Sequence, residues 1–318
     1  MTDKEKYRII CCKELTIPLY LRDWWLDCEC GKNDWDVLIY YQEDEIEAVF
    51  PIYFPCKKVI WMPYHTQTMG IWFNPKFETT KYSKNLLRKQ KICEYFIEHL
   101  PAFDFFQQIF HYSFTDWLPF YWKGFEQITR YNYILPNIKN TDELWSKLSK
   151  NIKRNIKKAK NKYQLEVRKN ITINSFIEIY DKTFKRQGEK TYHSKKLGKL
   201  INTCCAINKG NIWGAFDKEG RLHAAVFIVW QENCAYYVAG GGDPLLRQSG
   251  GHALAMWNAI CDLSEISSSF DFSGTMINGV ERFFREFGAV QMPCLLISKG
   301  KFSLAKRVII KIKDLSKK

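Results

Sequence analysis

No stretch of this sequence approaches the ~18 consecutive apolar residues that a membrane-crossing helix requires. The longest apolar segments, such as Ala224–Trp230, have the length of a strand. The opening MTDKEKYRIICCKEL carries no apolar run behind a basic segment. No secretory leader is therefore expected, and a cytoplasmic location is the expectation, with peripheral membrane contact as the variant. Cysteine is plentiful, at eleven residues, but arranged without metal-binding logic. The pairs are Cys11–Cys12, Cys28–Cys30 and Cys204–Cys205, with five singles. There is no CxxC pair and no histidine at finger spacing, so no metal site is expected and reduced thiols are the default. Internal repeats at solenoid periods and low-complexity tracts are also missing, apart from charge runs, which excludes repeat architectures.

What is present bounds the chain further. It has 318 residues, enough for two domains at roughly 100–200 residues each. Hydrophobic residues make up 46% and aromatics 16%, with tryptophan concentrated before residue 123. That is incompatible with intrinsic disorder and sufficient for a packed core in each half. Lys and Arg number 48 against 34 Asp and Glu, a formal charge of +14. Such a surplus favours anionic partners: nucleic acid, phosphorylated carriers or anionic lipid.

The first half reads as strands with tryptophan-rich connections. Asp36–Tyr41 and Ala48–Phe54 flank QEDEIE as a hairpin. Leu86–Leu100 has apolar residues at helical spacing, and Phe105–Tyr112 and Tyr131–Leu135 read as strands. Thr141 then caps a helix expected to run unbroken to Tyr163, with Asp142 and Glu143 in its first turn. Its stripe is Leu144, Trp145, Leu148, Ile152, Ile156 and Ala159. A domain boundary is placed just before it, dividing the chain into residues 1–138 and 139–318. The second half alternates: a strand at Leu165–Arg168, helices at Ile173–Gln187 and Ser194–Ile207, strands at Asn211–Phe216, Leu222–Trp230 and Ala235–Val238. A glycine loop, a helix at His252–Leu263, a strand at Ser269–Phe272, a helix at Asn278–Phe287 closed by Gly288, and a strand at Val290–Ile297 follow. This order predicts an α/β fold with mixed sheets.

The strongest local signal is Tyr236-Tyr237-Val238-Ala239-Gly240-Gly241-Gly242 followed by Arg247-Gln248-Ser249-Gly250-Gly251-His252-Ala253. A strand runs into a glycine-rich loop that opens a helix. The first amides of a helix have no internal partner and the helix dipole is positive there. Glycines allow a phosphate to approach without a Cβ in the way, which makes an anion cradle; an ordinary strand–helix connection is the alternative.

Gln248-x-x-Gly251-x-Ala253 resembles the pyrophosphate loop of the acetyltransferase (GNAT) superfamily. Phe270-Asp271-Phe272-Ser273-Gly274 with Gly279–Gly288, the segment Leu148–Lys160 with Phe176 and Tyr180, and the opening Trp24-Trp25-Leu26-Asp27 and Trp35-Asp36-Val37 are similar to its FemAB-like branch. Members of that branch transfer acyl groups or amino acids to amines, often on peptidoglycan precursors. The resemblance implies two tandem GNAT-like domains, the first on the acceptor side and the second carrying the donor loop. It implies a coenzyme A thioester or an aminoacyl-tRNA as donor, and a small-molecule or lipid-linked amine as acceptor. A long coiled-coil arm found in some members is absent here, because Tyr163 runs almost directly into a strand.

Acyl transfer to an amine needs a deprotonated amine, a donor for the tetrahedral oxyanion and a proton for the leaving group. Asp271 is the candidate for orienting or deprotonating the amine, turned toward the cleft by the aromatic face of Phe270 and Phe272. Capping the turn at Ser273 and Gly274 is the alternative role. Tyr236 or Tyr237 is the candidate proton source. Donor binding is assigned to Val238, Ala239, Gln248, Ser249, Gly250, Gly251 and His252, with backbone amides near Ala239 facing the oxyanion. Acceptor-site candidates are Tyr64, His65 and Gln67 in the first domain and Arg282 and Arg285 in the second. Glu281 and Arg285 at i,i+4 read equally as a surface pair. His223, at a strand start, reads as structural or exposed.

No acidic residue interleaves between Lys147 and Lys162. Lys150, Lys153, Arg154, Lys157 and Lys158 are therefore candidates for a polyanion footprint, from tRNA or anionic membrane, against the plainer reading of a solvated face. The basic amphipathic run 304–318 is consistent with membrane contact. The competing functional class is a catalytically silent module that holds a polyanion or membrane through the helix at 144–162.

Overall fold

The computed structural model describes residues 1–186, 188 and 193–302. Two compact units emerge: residues 1–131 with residues 293–302, and residues 132–292. A single cut at 138/139 therefore misses the return of the C-terminal strand to the first unit. The basic run 304–318 and Gln187, the expected last residue of a helix, lie outside the described residues.

The first unit opens with two helices the sequence patterning did not reveal, α1 (Asp3–Lys13) and α2 (Asp23–Cys30). A reciprocal capping box between Thr2 and Glu5 starts α1. β1 (Trp35–Gln42) and β2 (Glu45–Cys56) form the expected antiparallel hairpin. Its turn holds Glu43 and Asp44 at positive φ, the backbone of a tight hairpin turn. β3 (Val59–Trp61) follows, then the short β4 (Trp72–Phe73), α3 (Tyr82–His99), β5 (Phe105–Phe110), α4 (Leu118–Trp122) and β6 (Glu126–Leu135). β2 pairs β3 antiparallel, and β3 pairs β5 in parallel. An aromatic core of Phe50, Phe96, Phe106, Phe110, Phe114, Phe120 and Phe125 fills one side. Tyr7, Trp35 and Trp72 anchor a second cluster beneath α1.

The second unit contains the end of β6, then α5 (Thr141–Lys147), α6 (Lys150–Asn161), β7 (Glu166–Lys169), α7 (Ile173–Arg186) and α8 (Ser194–Ala206). β8 (Gly210–Phe216), β9 (Leu222–Trp230), β10 (Cys234–Gly242), α9 (Gly251–Leu263), β11 (Ser269–Gly274), α10 (Asn278–Glu286) and the start of β12 (Val290–Gly300) complete it. Strands β7 to β10 run antiparallel in sequence order, β10 pairs β11 in parallel, and β11 pairs β6 antiparallel. β9 is buried from His223 to Val229 and α9 is buried on most of its surface, so a helix covers the sheet centre rather than solvent. Beyond Pro293, β12 pairs with β5 inside the first unit.

The helix expected to run unbroken from Thr141 to Tyr163 is two helices. Leu148 leaves the helical conformation at ψ 141°, and the Ser149 side chain accepts from the Ile152 amide to start α6 afresh. Asn140, not Thr141, caps α5, through its side chain on the Glu143 amide. The glycine triplet is likewise not loop: β10 continues through Gly242, and the loop proper begins at Asp243. Among the described residues no helix is long and apolar enough to cross a membrane, and no group of His, Cys, Asp and Glu could hold a metal ion.

Candidate functional site

The geometry that matters begins where β10 and β11 separate. They pair in parallel over only three residues, Cys234–Tyr236 against Ser269–Asp271. On its other edge β10 pairs β9 until Tyr237 meets Ile228, and the register then resumes with Ala239 against Phe227. Val238 is the extra residue of a bulge, outside the ladder to β9 and beyond the last pair with β11. A bulge leaves its residue's backbone groups without ladder partners and bends the strand. The divergence opens a crevice between the two strands, bridged at its base where the Ser273 hydroxyl donates to the Tyr237 carbonyl at 2.7 Å.

Past the divergence β10 runs on as one wall of a cavity of about 550 Å³ within the second unit. Tyr237 and Gly240–Gly242 of β10, Ser249–Ala253 at the start of α9, Thr183 and Phe184 of α7, and Phe283 and Phe284 of α10 contribute to it. Each has a local cause. Gly250 adopts φ 81°, a left-handed conformation, and a Cβ there would strike the Asn155 backbone of α6. The glycine therefore lets α6 pack against the mouth of the helix. The helix start has no side-chain cap on Gly250, Gly251 N reaches the Ser249 hydroxyl at 3.2 Å, and residues 249–253 line the cavity. A helix N-terminus in this state attracts anions.

Gly240 and Gly241 are glycine for another reason. A Cβ on Gly240 would collide with the Tyr237 hydroxyl, and one on Gly241 would lie 2.6 Å from the Ile179 carbonyl oxygen of α7. These two close approaches seat a side chain and a helix rather than a phosphate. Thr183 completes the seam by accepting from the Gly242 amide at 2.9 Å.

The cavity's apolar end is aromatic. Tyr237 meets Phe284 edge-on at 6.0 Å between centroids, and His252 meets Phe283 at 5.3 Å and Tyr237 at 6.3 Å. Burial pushes the Tyr237 phenol well above its ordinary range, so it stays protonated at neutral pH. Burial also pulls the His252 imidazole down to about 4, against a hydrogen bond with the Gly241 backbone, which leaves the ring neutral.

The expected site residues divide cleanly. Tyr237, Ser249, Gly250, Gly251 and His252 line the cavity. Tyr236 is buried and does not, nor do Val238 and Ala239; Gln248 is exposed outside the lining. Asp271 is buried together with Phe270 and Phe272 rather than turned toward an opening. Its carboxylate accepts from the Ser273 amide at 2.7 Å and from the Asn132 side chain at 3.1 Å, and Ser273 sits at φ 68°. That is the turn-capping role. Burial raises its carboxyl to about 7 against those hydrogen bonds.

In the first unit, His65 is buried with Nδ1 3.0 Å from Glu29, while Tyr64 is half exposed. Arg282 pairs with Glu286 and Arg285 with Glu281 along the surface of α10, each at i,i+4. On α6, Lys150, Lys153, Arg154, Lys157 and Lys158 share one groove with Asn161 and Lys162, and none of them forms an ion pair among the described residues. Asn155, Thr183, Arg186 and His223 also line the cavity. Spacing alone gave no signal for them, because they arrive from α6, α7 and β9.

Residues 146–285 match the acetyltransferase (GNAT) domain family, a span that contains the whole cavity. No curated protein matches the chain in sequence. Among solved structures it is similar to FemX, at TM-score 0.66 and 11% identity, covering 98% of this chain and 99% of that one. It is also similar to a tandem GNAT protein from the clavulanic acid biosynthesis pathway, at 0.53 and 7%, covering 94% of each. A third likeness is to L-PGS from Bacillus licheniformis, at 0.52 and 12%, covering 98% and 96%. At these identities the likeness is one of fold. The cavity between β10, α9 and α10 thus lies at the diverging strands of the region that matches the GNAT domain family.

Proposed function

We propose that the second unit binds an acyl or aminoacyl donor by its phosphate-bearing carrier, a coenzyme A thioester or an aminoacyl-tRNA, and passes the acyl group to an amine. The observation that carries this reading is that β10, parted from β11 after Tyr236 and bulged at Val238, runs on to line one cavity together with the uncapped N-terminus of α9. The carrier's phosphates meet the α9 amides. Its arm runs into the crevice, where an unpaired strand edge can hydrogen-bond it. The carbonyl then lies beside Val238, whose backbone is free to stabilise the oxyanion.

In the reaction the amine nitrogen bonds to the carbonyl carbon, and the carbon–sulfur or carbon–oxygen bond to the carrier breaks. The leaving atom takes a proton from the Tyr237 phenol, and the proton that the amine nitrogen loses returns the phenol to its starting state. Asp271 contributes at one remove: it fixes the Ser273 turn, and Ser273 holds the Tyr237 carbonyl. Acceptor-side residues are proposed separately for each unit, Tyr64, His65 and Gln67 in the first and Arg282 and Arg285 in the second, and a cell-envelope precursor is the proposed class of acceptor.

The unpaired basic face of α6 supports a second reading, a catalytically silent module that holds a polyanion or an anionic membrane. One experiment decides. Small molecules that co-purify with the protein are identified by mass spectrometry, and transfer is then assayed with coenzyme A thioesters and aminoacyl-tRNA against peptidoglycan-precursor, lipid and sugar amines. Covalent acyl transfer to an amine supports the enzyme. Salt-sensitive binding of uncharged tRNA or anionic vesicles, with neither donor binding nor transfer, supports the module.

A further inference from the structure

One cavity residue is unexplained by the reading above. His223 opens β9 and is 3% exposed, yet it lines the cavity directly behind the α9 N-terminus. A Cβ on Gly251 would come within 3.1 Å of the His223 Cβ. The ring is fixed from behind: Nε2 lies 2.9 Å from Asp217 Oδ2. Asp217 is itself buried, and it accepts from the Arg221 amide at 2.8 Å and from Arg221 Nε at 2.7 Å. Against the burial that would raise it, the hydrogen bonds from His223 and Arg221 hold the Asp217 carboxyl well below the usual carboxylate range. A permanently ionised acceptor at Nε2 fixes the tautomer, with the proton on Nε2.

Nδ1 is then the odd atom. It is buried and has no hydrogen-bond partner. A buried polar atom without a partner costs free energy comparable to a lost hydrogen bond, and a ligand can remove that cost. The other groups around the ring are Tyr163, whose ring centroid is 6.5 Å away, and Asp243, whose amide donates to the His223 carbonyl while its carboxylate pairs with Lys182. His252, Arg186 and Arg247 share the cavity, and neither arginine forms an ion pair among the described residues.

We propose that His223, held by Asp217, is a phosphate-binding residue of the donor site: a protonated Nδ1 donates to the same phosphate group that the α9 amides cradle. The inference rests on the donor reading above and adds to it a side-chain ligand with a buried carboxylate behind it. Asp217 does for this histidine what a carboxylate does behind a metal-bound one: it orients the ring. The Asp217–Arg221 turn is therefore part of the binding machinery, although neither residue reaches the cavity.

Two substitutions separate the ring's two nitrogens. The amide of His223→Asn occupies the place of Nδ1, and that of His223→Gln the place of Nε2. Binding of coenzyme A and of deacylated tRNA is measured by calorimetry for the wild type and both variants, with thermal melting to verify folding. The expected result is near-wild-type affinity for His223→Asn and a loss of about tenfold or more for His223→Gln, the loss of one hydrogen bond to a charged group. The reverse order, equal loss in both, or no loss in either overturns the inference while leaving the donor site standing. Failure of the wild type to bind either probe overturns the donor reading itself. Should a variant not fold, ¹⁵N-histidine-labelled wild type gives the same answer: the probe must move the His223 Nδ1 resonance, and an unmoved resonance overturns the proposal. Whichever of the two probes binds identifies the source of the phosphate.

Discussion

Both units build the same sequence of strand, helix and parallel partner strand, and only one of them keeps the gap between the strands open. In the first unit the trio is β3, α3 and β5; in the second it is β10, α9 and β11. β3 pairs β5 at Val59–Phe105 and Ile60–Phe106, and then its own continuation closes the gap. Met69 bridges to Phe110 in parallel, donating its amide to the Ile109 carbonyl and accepting from the His111 amide. Because β12 occupies the other edge of β5, Met69 sits on the edge that β3 leaves. Gly70, at φ 90°, then lies so close to Phe110 that a Cβ would be 2.5 Å from the ring. The loop is consumed as structure, and α3 begins at Lys81 without a side-chain cap or a glycine turn. In the second unit a bulge at Val238 and a glycine turn into α9 leave the equivalent edge unused. The difference lies in what fills the gap, not in the arrangement of elements.

Substitutions can break that contrast, beginning with the largest effect on turnover. Tyr237→Phe removes the cavity's only proposed proton source and should lower turnover by about 100-fold or more while leaving donor affinity unchanged; a change in affinity with full turnover would reduce Tyr237 to packing. Because the phenol stays protonated throughout the neutral range, the pH profile of the wild type should show no loss of activity from this group below pH 10.

Next comes charge reversal on α6, with Lys153, Lys157 and Lys158 changed to Glu together. If tRNA is the carrier, affinity should fall and the slope of log K against log salt should flatten by roughly 0.7–0.9 per lost phosphate contact. Coenzyme A binding should not change. Equal losses for both carriers would mean that α6 matters through its packing on Gly250.

A smaller effect on turnover, and a distinctive one on stability, is expected for Asp271→Asn. The folded carboxyl titrates near 7 and the unfolded one near ~4, so the folded state binds more protons between those values. Wild-type stability should accordingly fall as pH rises from ~4 to ~7, and the Asn variant should lose that slope. Denaturant titrations across the range measure it. A collapse of turnover in the variant would restore Asp271 as the base.

The smallest effect on turnover belongs to the first unit. Met69→Ala should cost about 2–5 kcal/mol of stability, as a buried truncation, and leave donor affinity alone. A drop in donor affinity would show that the closed gap is not idle.

Much of this contrast was legible in the sequence on the side of the second unit. Apart from the end of β10, strand and helix limits from Leu222 to Phe287 follow to within two residues from alternation, turn residues and the glycine at 288, because local chemistry sets them. The Gln248–Ala253 motif located the helix start, and Tyr237 and His252 came with it. Three things were out of reach. The break at Leu148–Ser149 is set by packing, since the residues on either side favour helix and keep one apolar stripe. The strand character of Gly240–Gly242 follows from the approach of α7 and Tyr237, which sequence spacing does not encode. His223 and Asp217 are six residues apart across a tight turn, and only the fold shows that the ring stands behind α9. The opposite failure is Asp271: a carboxylate between two phenylalanines reads as cleft-facing by alternation, but its position at the end of the β10–β11 pairing buries all three.

The account stands on the crevice of the second unit gripping the donor's phosphate-bearing carrier, and amide hydrogen exchange with and without coenzyme A, an acyl thioester of it, and aminoacyl-tRNA tests that most directly. Protection should appear over residues 237–253 with at least one of these donors, and the gap-closing segment at 62–73 should be unmoved. Protection confined to 62–73, or none at 237–253 with every donor, would contradict it.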